Sequence, residues 1–477
     1  MHPSFPIVEP MNPPPPDLNL ALAQSGQSHL IAHLATLSQA DRSRLEEDLL
    51  GVDLSWLAAQ VAAASASAEG CLHGETLSAC PALEEGEHPD RDRDAFRVGA
   101  DRLREGRVAA MVVAGGQGSR LGHPGPKGTY RGTPLSGKSL FQLFAEKLLA
   151  LRDEFGRTPP FLVMTSPEND AVTQDFFHSH GYFGLRPEEV FFFTQGTVPA
   201  VDLGGRLILR EPAELFRNPD GHGGSLTALQ AHGLLNKLRQ RGIEDIFYFQ
   251  VDNPLVRLCD PLFLGYHSLH RSQFSSKAVR KRHPGEKVGV FVQRGGRAGV
   301  IEYSDLGEEL SCQRDPKGHL LFGCGNIAVH ILDVNFVADL TANGRLSLPF
   351  HRARKKIPCF DPLLGATVTE GIKFESFIFD ALPLAQRSLV LLVPRQEEFS
   401  PIKNPHGEDS PETSWRDQVA LHAAWLEAVG VPVDRHPDGS PVGMIEIGPR
   451  FASRAAQLRD RDLPQRVGHD SILLDWN

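Results

Sequence analysis

Short apolar runs alternate with helical patterns through the middle of the chain. Such runs are typical of strands buried on both faces of a parallel sheet. Leucine and phenylalanine spacing predicts a helix from a capping box at Ser139–Gln142 to Gly156, and a second helix over 225–241. The alternation of strands and helices indicates an α/β fold with a doubly wound sheet. The predicted strands are 108–114, 161–165, 190–194, 246–251, 288–292 and 388–393.

The two ends of the chain have different patterns. Pro13–Pro16 and the other early prolines predict a disordered arm, and leucines at helical spacing over Leu18–Val61 predict a small helical region with Asp41 as an N-cap. Residues 62–90 are rich in Ala and Ser and then acidic, which indicates a connector. A smaller C-terminal region is expected to pack on or close over the main domain. The predicted division is a disordered Pro-rich arm at 1–17, a helical region and connector at 18–90, the main α/β domain at 91–390 and a C-terminal region at 391–477.

Composition narrows the class of protein. Of 477 residues, 41% are hydrophobic and 23% are charged, as expected for a water-soluble protein with a large core. The net charge of -10 argues against nucleic acid as the main partner. The six cysteines show no C-x-x-C pair and no zinc spacing, which favours reduced thiols and a cytoplasmic location. We find no signal peptide and no apolar run long enough to cross a membrane, so no membrane partner is expected.

The strand predicted at 108–114 runs directly into a glycine-rich stretch, Gly115–Gly122. Glycines let the backbone turn sharply and bring its N–H groups close to a phosphate. Arg120 and Lys127 add two positive charges to this stretch. A glycine loop after a parallel strand, with two cations beside it, suits a nucleoside triphosphate.

Two other phosphate-binding motifs compete with this interpretation. The spacing of Gly116–Gly122 resembles a dinucleotide fingerprint, which should open into a helix. Pro124 and Pro126 oppose that, because a proline inside a helix costs about 3 kcal/mol. Gly132–Ser139 matches the Walker A pattern of a P-loop, but the preceding Lys127–Arg131 is not an apolar strand.

Three further positions could carry chemistry. Asp252 ends a predicted strand, where its carboxylate could hold Mg²⁺, cap a turn or act as a Walker B aspartate. Pro219–Gly224, which contains His222, is a glycine loop that leads into a helix N-terminus, a natural site for an anion or a base. Lys403 lies far along the chain and by itself would be a surface charge.

The loop also matches a longer signature, because Gly115–Gly122 and Pro126-Lys127 have the pattern Gly-Gly-x-Gly-Ser/Thr-Arg-Leu-Gly followed by Pro-Lys. With further segments in order, the chain resembles the eukaryotic-type UDP-N-acetylhexosamine pyrophosphorylases, within the wider UDP-sugar pyrophosphorylase family. The resemblance runs from Leu18 to about Leu421. It implies an α/β, doubly wound, Rossmann-like nucleotidyltransferase domain (GT-A-like) with small N-terminal helical and C-terminal regions. The further segments include Gln195-Gly, Pro219-Asp-Gly-His-Gly-Gly, Val251-Asp-Asn, Glu302-Tyr-Ser, Gly325-Asn-Ile-Ala, Gly371-Ile-Lys and Glu398-Phe-Ser-Pro-Ile-Lys-Asn.

The resemblance implies a uridylyltransferase that converts UTP and a sugar 1-phosphate into a UDP-sugar and pyrophosphate, with Mg²⁺ as cofactor. The catalytic cations it implies are Arg120, Lys127 and Lys403. The nucleotide-binding residues it implies are Ala114, Gly115, Gly116, Gln195, Gly221 and Lys373. The sugar-binding residues are His222, Gly289, Glu302, Tyr303 and Asn326. The metal contacts are Asp252 and Asp380.

One departure from the family pattern concerns the sugar. The N-acetylhexosamine enzymes usually carry asparagine where this chain has His222, whereas the glucose and broad-specificity enzymes usually carry histidine. Glu302, Tyr303 and Asn326 follow the N-acetylhexosamine pattern. UDP-N-acetylglucosamine is therefore the expected product, with a UDP-glucose or broad-specificity enzyme as the alternative. A P-loop kinase or NTPase, which would need Lys138, and a non-catalytic nucleotide-sugar sensor are the remaining rivals.

Overall fold

The computed structural model describes residues 17–66, 77–342 and 348–476, so the predicted arm lies outside it except for Asp17, which caps the first helix. The described residues form two compact units. The first unit contains 17–66, Thr197–Gly221 and Phe350–Ser376. The second unit contains 77–196, 222–342, 348–349 and 377–476. The boundaries of these units do not coincide with the sequence-based division at 90 and 390.

The helices and strands of the described residues are numbered here in chain order. The α-helices α1 to α14 are Leu18–Gln24, Ser28–Leu34, Gln39–Leu50, Leu54–Ala66, Pro89–Glu105, Leu140–Phe155, Asp170–Ser179, Gly224–Ala231, Leu234–Gln240, Pro261–Leu269, Glu308–Cys312, Val334–Thr341, Arg395–Glu398 and Pro411–Ala428. The strands β1 to β20 are Leu77–Ala79, Leu83–Glu84, Val108–Val113, Phe161–Thr165, Val190–Thr194, Thr197–Pro199, Val201–Asp202, Leu209–Glu211, Glu214–Leu215, Arg217–Pro219, Asp245–Gln250, Phe274–Arg280, Val290–Arg294, Arg297–Ile301, Cys324–Asp333, Phe350–Asp361, Gly365–Ser376, Ser388–Leu392, Ile445–Ile447 and Ile472–Leu474.

The first unit combines α1–α4 with a five-stranded sheet in the order β7-β17-β16-β8-β9. The long antiparallel hairpin β16–β17 forms its middle. Polar contacts fasten the helices to the sheet, because Asp48 pairs with Arg217 at 2.7 Å and the Gln27 side chain accepts from the Leu207 N–H at 2.8 Å. The apolar faces meet in one core cluster, whose members include Leu22, Leu30, Leu34, Leu45, Leu49, Leu209, Leu215 and Phe374.

The second unit is built around a mixed sheet with the path β2-β18-β12-β15-β11-β3-β4-β5. Neighbours along this path are parallel except at β15, which is antiparallel to both β11 and β12. The chain adds β4 and β5 on one side of β3 and later adds β11 on the other side. This order confirms the predicted α/β, doubly wound fold. Ligands on such sheets bind in the crevice beyond the carboxyl ends of the strands where the order reverses, here β3 and β11.

Several local predictions are wrong. The N-cap of α3 is Ser38 rather than Asp41, because the Ser38 hydroxyl accepts from the Asp41 N–H at 3.2 Å. The helix predicted over 225–241 is two helices, α8 and α9, because Gly233 adopts a left-handed φ of 67° between them. Part of the predicted connector is also structured, since β1 and β2 pair with β13 and β18 of the central sheet.

The capping box at Ser139 is only half formed. The Ser139 hydroxyl accepts from the Gln142 N–H at 3.1 Å, as predicted. The Gln142 side chain donates to Glu146 at 3.0 Å instead of returning to the cap. The helix still begins and ends where the pattern indicates, because Gly156 closes it in a left-handed conformation.

Residues after β18 complete the second unit. The long helix α14 packs against β19, and the Gln418 side chain donates to the Gly132 carbonyl at 2.9 Å. Farther along, Arg454 forms an ion pair with Glu154 of α6. In the part of the chain that the structure describes, no helix combines the length and the apolar character needed to cross a membrane.

Candidate active site

The crevice begins where β3 ends and Ala114 follows. The Ala114 N–H donates to the Met164 carbonyl at 2.8 Å, and its carbonyl accepts from the Asn169 side chain at 3.0 Å. Asn169 is buried, and its other amide atom accepts from the Ser166 N–H at 2.8 Å. The backbone at the start of the glycine loop is therefore fixed from the neighbouring strand. The sequence analysis missed Asn169, although its position just after the predicted strand 161–165 was a signal.

Gly115 lies against Gln195, which follows the carboxyl end of β5. A Cβ atom at Gly115 would be 2.7 Å from the Gln195 amide nitrogen, so only glycine allows this approach. The Gln195 side chain is buried, and its backbone N–H donates to the Thr165 carbonyl at 2.9 Å. Two predicted nucleotide-binding residues, far apart in the chain, thus come together at the crevice.

The glycine loop folds back on itself and returns Lys127 to the crevice. The Gly118 N–H donates to the Gly125 carbonyl at 2.8 Å, and the Lys127 N–H donates to the Gly116 carbonyl at 3.0 Å. The Lys127 ammonium lies 3.6 Å from the carboxylate of Asp252, which follows β11. Both side chains are mostly buried, 16% and 13% exposed. Arg120 instead lies on an exposed turn of the loop.

Lys403 lies on a segment that is bonded directly to Asp252. The Ile402 N–H donates to the Asp252 carbonyl at 2.8 Å. The Lys403 ammonium is 3.9 Å from the Asp409 carboxylate and 5.4 Å from the centre of the Phe399 ring. Lys127, Asp252 and Lys403 therefore belong to one local cluster, although 276 residues of chain separate the first from the last.

Asp409 is a second carboxylate in this cluster that the sequence analysis missed. Its backbone carbonyl accepts from the N–H groups of Lys403 and Asn404 at 2.6 and 3.0 Å. Burial raises the pKa of the Asp409 carboxyl; the positive charge of Lys403 opposes the rise and the negative charge of Asp252 adds to it. No motif marks Asp409, because its role as an acceptor follows from a left-handed backbone (φ 55°) in an irregular loop.

The donor set at Asp252 suits a hard cation that also binds substrate. Mg²⁺ usually takes one or two protein carboxylates and completes its octahedron with phosphate oxygens and water. Among the described residues, no three His, Cys, Asp or Glu side chains are grouped so as to hold a metal by themselves. Asp380 lies half-buried on a separate helical turn, Ile378–Leu384.

Three of the predicted sugar-binding residues lie together where β15 pairs with β13. The Asn326 N–H donates to the Gly289 carbonyl at 2.8 Å. A Cβ atom at Gly289 would be 3.2 Å from a carboxylate oxygen of Glu302. The Asn326 side chain accepts from the N–H of Ala328 at 2.9 Å. Tyr303, next to Glu302 in the chain, is 46% exposed.

His222 is held by an aromatic stack and a hydrogen bond. Its ring stacks on Phe377 with 5.2 Å between ring centres. Its Nδ1 accepts from the Ile378 N–H at 3.2 Å, so a neutral His222 ring carries its proton on Nε2. The direction of the ring is therefore fixed by the residues just before and within the helical turn that carries Asp380.

Gly221 and Lys373 lie in the first unit, whereas the other predicted site residues lie in the second unit. Gly221 has a φ of 88°, and a Cβ atom there would be 2.3 Å from the Ser376 carbonyl oxygen. The Lys373 ammonium lies 5.0 Å from the centre of the Phe216 ring. The contacts described for both residues are therefore with other residues of the first unit.

The Walker A pattern at Gly132–Ser139 does not form a P-loop. A short helical turn, Lys127–Thr129, precedes it where a P-loop needs a strand. The Lys138 ammonium is occupied by the carboxylates of Glu146 at 2.6 Å and Asp475 at 2.5 Å. It is therefore not available to a phosphate.

Comparison with known proteins shows the family of the chain. The family described as "UTP--glucose-1-phosphate uridylyltransferase" matches residues 92–407, well over half of the chain. The chain belongs to this uridylyltransferase family. Its members transfer a uridylyl group from UTP to a sugar 1-phosphate, and this chain is accordingly a UTP:sugar-1-phosphate uridylyltransferase by family.

The uridylyltransferase is similar to proteins named for one sugar. It is 36% identical over 456 residues to UDP-N-acetylglucosamine diphosphorylase 2 of Arabidopsis thaliana, covering 89% of this chain and 88% of that protein. It is 39% identical over 357 residues to the UDP-N-acetylglucosamine pyrophosphorylase of Saccharomyces cerevisiae, covering 72% and 74% of the two chains. Among solved structures, the uridine diphosphate N-acetylglucosamine pyrophosphorylase from Trypanosoma brucei, in complex with an inhibitor, superposes with a TM-score of 0.81. It is 27% identical and is matched over 98% of this chain and 99% of that chain.

Proposed function

We propose that this uridylyltransferase makes UDP-N-acetylglucosamine and pyrophosphate from UTP and N-acetylglucosamine 1-phosphate. The observation that carries the proposal is the cluster of Lys127, Asp252 and Lys403 beyond the carboxyl ends of β3 and β11, with 3.6 Å between Lys127 and Asp252. The curated relatives described above are named for the same product. The proposal assigns the cluster to the reacting phosphates.

The reaction needs positioning and charge more than a proton acceptor. The sugar phosphate is already an anion, and one of its oxygens attacks the α-phosphorus of UTP while the bond to pyrophosphate breaks. The obstacle is to bring two anions together and to stabilise negative charge on the departing group. We assign Lys127 and Lys403 to that task, with Arg120 on the exposed turn of the same loop. Preorganised cations of this kind act mainly through electrostatics.

We assign Mg²⁺ to Asp252, together with phosphate oxygens of the substrate. When bound, the ion would neutralise phosphate charge beside the two lysines. Asp380 remains a proposed second contact. Asp409 is a third candidate, because it lies close enough to Asp252 that the negative charge of Asp252 adds to the effect of burial in raising the pKa of Asp409. The Asp252 side chain is mostly buried but still 13% exposed, which supports the assignment because the carboxylate remains reachable from the crevice.

The remaining predicted site residues are assigned to the nucleotide or to the sugar. We assign Ala114, Gly115, Gly116 and Gln195 to the nucleotide, and the contact between Gly115 and Gln195 supports this. Glu302, Gly289 and Asn326, which lie together, are assigned to the sugar with Tyr303 and His222. Gly221 and Lys373 are assigned to UTP by family resemblance alone. His222 also keeps a second candidate product open, since the glucose enzymes usually carry histidine at this position.

A pyrophosphate-release assay tests the proposal. Purified protein is mixed with UTP, Mg²⁺ and one sugar 1-phosphate at a time: N-acetylglucosamine, N-acetylgalactosamine, glucose and galactose 1-phosphate. We expect the highest kcat/KM with N-acetylglucosamine 1-phosphate. A higher value with glucose 1-phosphate would replace the proposed product by UDP-glucose, and no release with any sugar would favour a nucleotide-sugar sensor.

We also propose that the protein acts in the cytoplasm. Five cysteines of the described residues are free thiols, and such thiols are typical of reducing compartments. The net charge of -10 supports the expectation that nucleic acid is not a partner. Measuring the product in cytosolic and organelle fractions of the source cells would test the location.

A further inference from the structure

Asn253 joins the two segments that carry Asp252 and Lys403. Its side chain is buried, 3% exposed, directly after Asp252. The amide nitrogen donates to the Glu398 carbonyl at 2.7 Å, and the amide oxygen accepts from the Ser400 N–H at 3.2 Å. Both partners are backbone groups of residues 398–403, here called the Lys403 segment. One amide therefore holds this segment at two points.

The position of the Lys403 ammonium depends on this backbone. The Lys403 side chain is 38% exposed, and the carboxylate of Asp409 is 3.9 Å away, too far for a hydrogen bond. The segment itself is bonded to Asp252 once more, through the Ile402 N–H and the Asp252 carbonyl at 2.8 Å. These backbone bonds therefore fix the main chain of Lys403 relative to Asp252, and so the point from which its side chain reaches the crevice.

A buried charge network makes the start of the Lys403 segment rigid. The Glu398 carboxylate is fully buried and accepts from the Lys277 ammonium and, at 2.5 Å, from the Arg257 guanidinium. Lys277 also pairs with Asp260 at 2.8 Å. Since these groups are desolvated and mutually bonded, they fix Glu398 on the sheet. Asn253 links the fixed backbone of Glu398 to Asp252, its neighbour in the chain.

We infer that Asn253 is a positioning residue: its amide fixes Lys403 relative to Asp252 at the reacting phosphates. The inference rests on the proposed function, which assigns Asp252 and Lys403 their roles. A misplacement of about 1 Å in a preorganised site can cost ~10²-fold in rate. Loss of the amide should therefore lower kcat much more than it raises KM.

A double-mutant cycle with Asn253→Ala and Lys403→Met tests the inference. In the wild-type background, we expect Asn253→Ala to lower kcat by ~10- to 100-fold and to change the KM for UTP by less than ~3-fold. In the Lys403→Met background, the same change should cost less than ~3-fold, because the group it positions is gone. Equal losses in the two backgrounds would overturn the inference, since Asn253 would then act independently of Lys403.

The control is Gln418→Ala, which also removes a buried amide that donates to a backbone carbonyl, at Gly132. This variant should keep kcat within ~3-fold of the wild type. If Asn253→Ala does not fold, Asn253→Ser replaces it in the cycle. Serine adds no charge beside Asp252, and its single short hydroxyl cannot make both hydrogen bonds of the amide. A non-coupled loss in this variant would overturn the inference in the same way.

Amide hydrogen exchange separates this inference from the proposed function. Asn253→Ala should increase exchange in a peptide that contains Ser400 and Ile402, while exchange within α14 stays unchanged. That result does not depend on which substrate the protein uses. A wild-type protein without transferase activity would contradict the proposed function, whereas unchanged exchange at Ser400 and Ile402 would contradict the inference.

Discussion

At the scale of single residues, the site depends on which cations face the crevice. Lys127 is held by its loop 3.6 Å from Asp252, whereas Lys138 is buried between two carboxylates. Both lysines lie in glycine-rich patterns that could bind phosphate. The difference comes from their surroundings, because two carboxylates in direct contact with Lys138 offset its positive charge, whereas Lys127 faces a single carboxylate at 3.6 Å.

Removal of either crevice lysine should abolish most of the turnover. We expect Lys127→Met and Lys403→Met each to lower kcat/KM by at least ~10²-fold, because one preorganised electrostatic contact is typically worth ~2.7–4 kcal/mol of barrier. The exposed Lys237→Met is the matched control and should keep near-wild-type rates. Near-wild-type rates in both crevice variants would contradict the assignment.

Turnover should require a divalent metal, and Asp252→Asn should weaken that dependence or abolish activity. The reason is that asparagine offers a neutral oxygen where Mg²⁺ prefers a carboxylate. The measurement is initial rate against Mg²⁺ concentration in wild type and variant. Full activity in excess chelator would exclude the metal, and an unchanged titration in Asp252→Asn would move the contact to Asp380 or Asp409.

His222→Asn should shift sugar preference toward N-acetylglucosamine 1-phosphate. Asparagine can still accept from the Ile378 N–H, but it is smaller and presents an amide to the sugar. An unpaired buried polar group costs ~1–3 kcal/mol, which sets the size of the expected change. The ratio of kcat/KM for N-acetylglucosamine and glucose 1-phosphates is compared in the two proteins, with His222→Ala separating space from hydrogen bonding. A ratio that stays within twofold, below ~0.5 kcal/mol, would remove His222 from sugar selection.

At the scale of elements, α5 and α10 pack unusually close together. A Cβ atom at Gly99 would be 1.8 Å from the Pro261 carbonyl oxygen, and one at Gly265 would be 1.6 Å from the Ala95 carbonyl oxygen. The two helices therefore touch backbone to backbone. Small residues at both positions set the distance between this helix pair, which packs beside the central sheet.

This packing reverses the usual effect of replacing glycine by alanine in a helix. Alanine is normally better by ~1 kcal/mol, but Gly99→Ala should lower the free energy of unfolding by ~1–3 kcal/mol because the helices must separate. Arg97→Ala, on the exposed side of the same helix, should stay within ~0.5 kcal/mol. Denaturant midpoints of the three proteins give the comparison. A stabilised Gly99→Ala variant would show that α5 and α10 are farther apart than the structure has them.

Strands could be predicted where a continuous apolar run marks them. The strands β3, β4, β5 and β11 are nearly continuous apolar runs, and Gly115, Gln195 and Asp252 follow the carboxyl ends of β3, β5 and β11 as predicted. The hairpin β16–β17 escaped prediction because polar residues interrupt its apolar ones and few of its residues are fully buried, so no continuous apolar run marks either strand.

The parts of the site that escaped prediction depend on contacts between distant segments. Asn169, Asn253 and Asp409 all bond to backbone groups of other loops or of their own irregular loop, and such partners leave no spacing in the sequence. The sequence also did not predict which segments make up the first unit, for the same reason. Nothing in residues 197–221 by themselves shows that they pack with the N-terminal helices.

At the scale of the whole molecule, stability should depend on pH through a buried histidine. His330 is fully buried between Tyr248 and Phe274, and its Nδ1 is 2.9 Å from the Ser276 hydroxyl. Burial lowers the pKa of His330 to about 3, and the charge of His222 adds to the effect. An unfolded chain binds a proton at this residue below about pH 6.5, whereas the folded protein does not until about pH 3.

The free energy of unfolding should therefore fall as the pH is lowered from about 6.5 to about 3, with a contribution of up to ~1.4 kcal/mol per pH unit from this group. His330→Phe should remove that contribution and flatten the curve. Phe274→Leu, which disturbs the same packing without a titrating group, should lower stability by a similar amount at every pH. Parallel curves for wild type and His330→Phe would contradict this role of His330.

Because the first unit is built from three separate segments of the chain, it cannot fold completely until late in synthesis. The ribosome finishes α1–α4 at Ala66, but Ile372 and Phe374, which cover the leucines of those helices, lie near the end of a strand that is completed only at Ser376. At ~5–20 residues per second, that leaves roughly 15–60 s between the two events. During this interval the apolar faces of the nascent helices lack part of their native cover, because Leu209 and Leu215 of the same core emerge earlier but Ile372 and Phe374 do not. We therefore expect chaperones at the exit tunnel to bind the emerging N-terminal helices.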